Sequence, residues 1–264
     1  MQRKFGIAAE CLGITHKSME LIRSVGFEST FTSVFERREV LPYRKEADKF
    51  GLSYDFIHAP FKGINSMWLE GEEYLEIFGN IKESILCAGE YRIPIVCLHV
   101  SSGWTPPSIC ATGIGRFEEL FELGYKRGVR IAIENQRSTE YLAFFMDKYK
   151  GNSTVGFCYD SGHEHCFSGK ANLLDLYGDR LVCTHIHDNN GRSRDRYAFT
   201  DTHLLPFDGS YDFGEMKACL ERIGYGGALM LEVSKDNKYF DYEKLSDEEY
   251  LRKSYDSLMR ISLL

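Results

Sequence analysis

The chain predicts a single-domain (β/α)8 TIM barrel spanning residues 1–264, on three observations. Eight short apolar runs of strand length recur along the sequence. Helical patterns separate them, several closed by glycine. The length matches the ~250 residues that such a barrel usually takes. The runs are FGIAAE, GFESTF, SYDFIHAPF, PIVCLHVSSG, VRIAIENQ, VGFCYDSGH, LVCTHIHDN and GALMLEVS, starting near residues 5, 26, 53, 94, 129, 155, 181 and 227. Apart from the second they are almost continuously apolar, as parallel strands buried on both faces must be.

Between the runs, Gly26 closes SMELIRSVG and Gly128 closes RFEELFELGYKRG. In the latter, Phe117, Leu120 and Phe121 carry the i, i+3, i+4 spacing of one apolar helix face. Gly26, Gly51, Gly89, Gly128 and Gly224 are expected at helix C-caps, where a residue tolerating positive φ is needed. The C-terminal segment DYEKLSDEEYLRKSYDSLMRISLL reads as the eighth barrel helix, with an interface helix of a homodimer as the alternative. No Pro/Gly/Ser-rich linker or change of composition marks a second domain. A doubly wound open sheet would use fewer strands, and no G-x-G-x-x-G follows the first run.

Hydrophobic residues at 43% and charged residues at 27% exclude disorder, collagen and coiled coil as the main architecture. The formal charge of −7 disfavours nonspecific nucleic-acid binding. No apolar run approaches the ~18 residues of a membrane span, and the opening MQRKFGIAAECLG is too short in its apolar part for a signal peptide. A cytoplasmic location, with no membrane partner, is expected. The eight cysteines (Cys11, Cys87, Cys97, Cys110, Cys158, Cys166, Cys183, Cys219) contain no C-x-x-C and sit mostly in apolar runs, so buried thiols are expected rather than disulfides.

In a parallel barrel the chemistry gathers at the C-terminal ends of the strands. Here those ends carry Glu10, His58, His99, Glu134, Asp160 with His163, His185 with His187, and Glu232. Any one of them is explained equally well as a hydrogen-bonded rim residue. Together they are not, because Glu134, Asp160, His185 and Glu232 would converge from strands five to eight. Three carboxylates that close repel unless protonated or neutralised by a cation. A divalent metal removes the conflict, and one imidazole with three carboxylates suits Mn²⁺ or Zn²⁺ while accepting Mg²⁺ or Co²⁺.

The motifs HAPF at His58, CLHVSSG at His99, IENQ at Glu134, YDSGH at Asp160 and His163, HIHDNNG at His185, DTHLLPFDGSYDF at Asp201 and His203, and LEVS at Glu232 occur in this order. In these motifs the chain resembles the xylose isomerase-like TIM barrel superfamily, which includes the sugar phosphate isomerases and epimerases and the endonuclease IV family. The resemblance implies a metal held by Glu134, Asp160, His185 and Glu232. It selects His185 over His187 because the family pattern is His-x-x-Asp, satisfied by His185 and Asp188. The endonuclease-like members bind three metals, and their additional ligands would map to His58, His99, His163, Asp201 and His203. A site with two or three Zn²⁺ thus stays open, with substrate-binding or rim roles as the alternative for these five.

The expected reaction is isomerisation or epimerisation of a sugar or sugar phosphate through a metal-stabilised cis-enediolate, with Glu134 and Glu232 as base and acid. His163 and His187 would orient substrate hydroxyls. Arg192, Arg194 and Arg196 in NGRSRDR would clamp a phosphate or carboxylate, or remain solvated charges. Trp104, Phe61 and Trp68 are candidates to cover a sugar's apolar face, and residues 62–74 read as a long loop able to close over the mouth. A multinuclear-zinc phosphodiesterase or abasic-site endonuclease is the runner-up, disfavoured by the net charge and by the scarcity of basic loops. Dehydration of an inosose-type substrate is a further alternative. A purely ligand-binding barrel has no need of carboxylates crowded around a metal.

Overall fold

The computed structural model describes residues 3–13, 15–169, 171–193 and 200–264. Eight parallel strands make the barrel: β1 Phe5–Ala8, β2 Ser29–Thr32, β3 Ser53–His58, β4 Ile95–Leu98, β5 Arg130–Glu134, β6 Val155–Asp160, β7 Leu181–His185 and β8 Leu229–Leu231. Each predicted run contains one. Neighbours in sequence pair in parallel from β1 to β7, and β1 pairs with β8. The β7–β8 seam is made by one bridge, with Ile186 N donating to Met230 O at 2.7 Å and Glu232 N to Ile186 O at 3.1 Å. Beside it the buried Thr184 hydroxyl donates to Ala228 O and accepts from Met230 N, satisfying backbone groups that the ladder leaves out. The barrel is therefore nearly closed.

The second run looked more polar than the others because β2 buries hydroxyls with built-in partners. Thr30 Oγ1 donates to Ile7 O at 2.8 Å, the Ser29 hydroxyl bonds Asp55, and the Thr32 hydroxyl meets that of Tyr54. Such pairing removes most of the cost of burying a hydroxyl.

The α-helices are α1 Met19–Val25, α2 Arg37–Phe50, α3 Leu75–Glu90, α4 Ala111–Arg127, α5 Thr139–Lys148, α6 Ser161–Phe167, α7 Leu173–Tyr177, α8 Phe213–Arg222 and α9 Asp247–Leu263. The β6–β7 crossover is split between α6 and α7. Gly51 and Gly128 cap α2 and α4 in the left-handed conformation, as expected. Gly89 does not: it lies inside α3, and the positive φ after that helix falls on Arg92. A Ser246/Glu249 capping box starts α9, which packs against α1 and α8 and completes the helical ring. No helix among the described residues is long and apolar enough to cross a membrane.

Residues 62–74 are fastened down. A 3₁₀ turn, Ile64–Trp68, buries Ile64, Met67 and Trp68. The Trp68 indole donates to Val100 O at 2.7 Å and packs on Phe117 and Tyr141 in the outer layer, away from the mouth where the sequence reading placed it. Gly113 on α4 makes this possible, because a Cβ there would sit 2.1 Å from the indole. Arg116 donates to the carbonyls of Ser66, Met67, Leu69 and Gly71 and stacks on Tyr74 at 3.4 Å.

Candidate metal centre

Side chains on the inward face of a barrel strand recur every second residue, so the last inward position of each strand opens into the mouth. Glu134 ends β5, Asp160 ends β6, His185 ends β7, and Glu232 follows β8 directly. The four meet. His185 Nδ1 lies 3.3 Å from Glu134 Oε2, 3.4 Å from Glu232 Oε2 and 3.8 Å from Asp160 Oδ2. Although His185 is fully buried, neither of its ring nitrogens makes a hydrogen bond. Its ring lies against the stacked pair Phe31 and Phe56, with centroids at 5.3 Å from each, and against His58 at 5.4 Å. A buried nitrogen aimed among three carboxylate oxygens, yet aligned with none, suits a shared cation better than a proton. One borderline nitrogen and three hard oxygens fit a divalent first-row metal or Mg²⁺.

Glu134 is the hub. Its Oε2 also lies 3.1 Å from His58 Nε2 and 3.2 Å from His99 Nε2, and its Oε1 lies 2.9 Å from His163 Nδ1. Gln136, one inward position further on, donates to Glu134 Oε1 at 3.0 Å. Asp160 is the N-cap of α6, accepting His163 N at 2.6 Å, and its Oδ1 lies 3.0 Å from His187 Nε2. The Asn135 amide brackets the Asp160 backbone, donating to its carbonyl at 2.9 Å and accepting its N–H at 2.8 Å.

A second cluster adjoins the first. His163 Nε2 lies 3.0 Å from Asp201 Oδ2, Asp201 Oδ1 is 3.5 Å from His203 Nε2, and His203 stacks on His187 at 3.8 Å. His203 has a positive φ, a costly backbone state for a non-glycine residue. Asp188 brings this loop in by accepting the backbone N–H groups of Asn189, Phe207, Gly209 and Tyr211. Within YDSGH only glycine fits at 162, since a Cβ there would lie 1.9 Å from the His187 ring.

Imidazoles compensate the carboxylates. Burial alone would raise the Glu134 pKa, but His99 and His185 hold it well below the ordinary carboxylate range, and His163 and His187 lower Asp160 in the same way. Reciprocally, Glu232 and Glu134 outweigh the burial of His185 and push it up to about 10. Asp201 outweighs the burial of His203 and lifts it to about 9. At His99 burial wins, and its pKa is lowered.

All ten predicted carboxylates and histidines from His58 to Glu232 therefore occupy one connected cluster. At the rim, Phe61 stacks on His99 at 4.3 Å and Trp104 sits edge-on to Phe167. Arg192 lies over Trp104 at 5.1 Å, while Arg194 and Arg196 lie outside the described residues. Sequence reasoning missed Gln136, Asn135, Cys97 and Arg137. Gln136 was findable from the two-residue alternation after Glu134, and Arg137, over Trp104 and Phe167, was not.

A sequence profile described as "Xylose isomerase-like TIM barrel" matches residues 18–261, and the chain belongs to this family. An uncharacterized protein of Sinorhizobium fredii, y4fM, is 34% identical over 151 residues, covering 55% of this chain and 45% of its own length. An inosose dehydratase of Glaesserella parasuis is 26% identical over 157 residues, 52% of each chain. The chain thus spans about half the length of these curated relatives. The D-psicose 3-epimerase of Clostridium cellulolyticum H10, solved with D-tagatose, superimposes with a TM-score of 0.77 at 12% identity over 98% of both chains, a likeness of fold.

Proposed function

We propose that the chain is a divalent-metal-dependent epimerase or isomerase of a small sugar or sugar phosphate, with Glu134, Asp160, His185 and Glu232 as ligands. The observation that carries this is the unpaired His185 Nδ1 facing three carboxylate oxygens. When bound, the ion supplies acidity to the C–H beside a carbonyl and stabilises negative charge on the adjacent oxygens. Glu134 and Glu232 both reach His185 Nδ1, at 3.3 and 3.4 Å, from different strands, so in this reading one carboxylate takes the proton and the other returns it. Two acid/base groups on opposite faces give inversion at carbon, whereas one carboxylate shuttling between neighbouring carbons gives isomerisation. His163 and His187 orient hydroxyls, and Phe61 and Trp104 cover an apolar sugar face.

Elemental analysis of protein purified without chelator, beside a Glu232→Gln variant, tests the centre. At this centre about one Mn, Mg, Co or Zn per chain is expected, held more weakly in the variant, which lacks one of the four ligands. In D₂O, ketohexoses should take up deuterium beside the carbonyl, with product analysis separating epimer, aldose and dehydration product. The adjoining His163–Asp201–His203 cluster favours a second reading, a multinuclear zinc phosphodiesterase. Two or three zincs per chain lost together in Glu232→Gln, phosphodiester hydrolysis and no deuterium uptake would replace the first reading with the second.

A further inference from the structure

One pleat below the charged cluster, on the same strands, lies a second group of potential ligands. Cys97 on β4, Cys158 on β6 and Cys183 on β7 point into the barrel interior, two residues before His99, Asp160 and His185. All three are buried, and their Sγ atoms lie within 4.8 Å of one another. Register sets Cys158 opposite Cys183. The intervening β5 presents Ala132 opposite Cys97, a side chain too small to part the sulfurs. The surrounding interior is mostly apolar, lined by Phe31, Phe56 and Met230, and on its upper side Cys97 Sγ lies 3.6 Å from Glu134 Oε2.

From this geometry we propose that Cys97, Cys158 and Cys183 form a second metal site, an interior trithiolate pocket for a divalent thiophilic ion of the zinc class. Three sulfur donors select soft and borderline ions over Mg²⁺ or Mn²⁺. A metal–sulfur bond of about 2.3 Å places three ligating sulfurs about 4 Å apart, inside the spacing already present. Binding releases three protons and leaves three thiolates around the ion. A divalent ion then carries a residual charge of one unit, where a monovalent copper would carry two in the same apolar surroundings, so the divalent class is favoured. The site also has its own approach. A cavity of about 80 Å³ at the opposite end of the barrel from the mouth is lined by Asp55, Cys183, Tyr225 and Met230.

Cadmium is the probe. With excess Mg²⁺ present to occupy oxygen ligands, Cd²⁺ titrated into the full chain should give an ultraviolet thiolate-to-cadmium charge-transfer band saturating at one ion per chain. Cys158→Ala and Cys183→Ala should abolish it. Cys110→Ala, removing the most exposed thiol, and Glu232→Gln should keep it. No band at one equivalent, a band retained in Cys158→Ala, or one lost in Glu232→Gln would overturn the proposal. Should the core variants fail to fold, cadmium-soaked crystals of the unsubstituted protein decide. An anomalous peak among the three sulfurs upholds the site, and a peak only among the mouth carboxylates refutes it.

Discussion

Two layers of the same strands face the barrel interior with opposite chemistry. The upper layer holds His99, Glu134, Asp160 and His185; the lower holds Cys97, Ala132, Cys158 and Cys183. They are one pleat apart, about 7 Å along a strand. Above, each charge has a partner of opposite sign within reach: Glu134 has four imidazoles and Asp160 has His187 and His163. Below, the neighbours are mainly aromatic and aliphatic, with Cys97 Sγ reaching up to within 3.6 Å of Glu134 Oε2. What separates the layers is access to compensating charge rather than burial, for both are nearly inaccessible to solvent. A carboxylate survives at the upper level because imidazoles or a cation neutralise it, and at the lower level, without a bound cation, only an uncharged thiol or methyl is tolerated.

The largest expected effect comes from breaking the upper layer at its hub. Glu134→Gln preserves shape but removes the negative charge around which His58, His99, His163 and His185 gather and one of the two groups proposed to move the proton. Turnover on whichever sugar the enzyme accepts should fall by ~10²–10⁴-fold, about 3–5 kcal/mol of transition-state stabilisation. Single-turnover rates at saturating metal measure this. A variant within a few-fold of the parent would remove Glu134 from the proton path.

A steric break should be smaller and would reach the same layer through one strand. In Gly162→Ala the new methyl would enter the His187 ring and push it from Asp160, at a cost of about 1–3 kcal/mol. Gly115 on α4 is the control, since a Cβ there meets nothing within 4 Å, and Gly115→Ala should stabilise by about 0.5–1 kcal/mol. Urea midpoints moving in opposite directions are the expected result. A shift of the same sign in both would mean that the contact at His187 is relieved at little cost.

These contrasts mark what could be read from the chain alone. The strands were legible because burial on both faces writes an almost continuous apolar run, and the quartet because a carboxylate at the end of such a run has few reasons to be there. The thiol layer was not legible, since Cys97, Cys158 and Cys183 look like ordinary core residues of separate strands until barrel curvature brings them together. Trp68 was misplaced for a related reason. Its position after β3 suggested the mouth, but the absence of a side chain on Gly113, a whole helix away, opened a slot for it in the outer layer. Gln136 was legible as an inward position two residues after Glu134, but its turn back onto the Glu134 carboxylate depends on a loop conformation that no local propensity specifies. The Asp201–His203 arm depends on Asp188 collecting four backbone N–H groups, which the His-x-x-Asp pattern hinted at without showing what the aspartate does.

The smallest effect sharpens the same comparison from outside the mouth. Glu164, on α6, is a largely buried carboxylate facing the hydroxyls of Tyr159 and Tyr211 and the Leu173 N–H, with no imidazole or guanidinium bonded to it among the described residues. Burial raises its pKa above the ordinary 4.5, opposite in direction to Glu134 and Asp160. A carboxyl raised in the folded state holds its proton more tightly than the unfolded chain does. Its contribution to stability is complete below 4.5 and is lost as pH rises through the folded value. Glu164→Gln removes that titration. Between pH 4.5 and neutrality the parent should therefore lose stability relative to the variant, the gap in melting temperature shifting in the variant's favour as pH rises. A gap independent of pH would mean that the two tyrosine hydroxyls and the Leu173 amide offset the burial of the Glu164 charge in full.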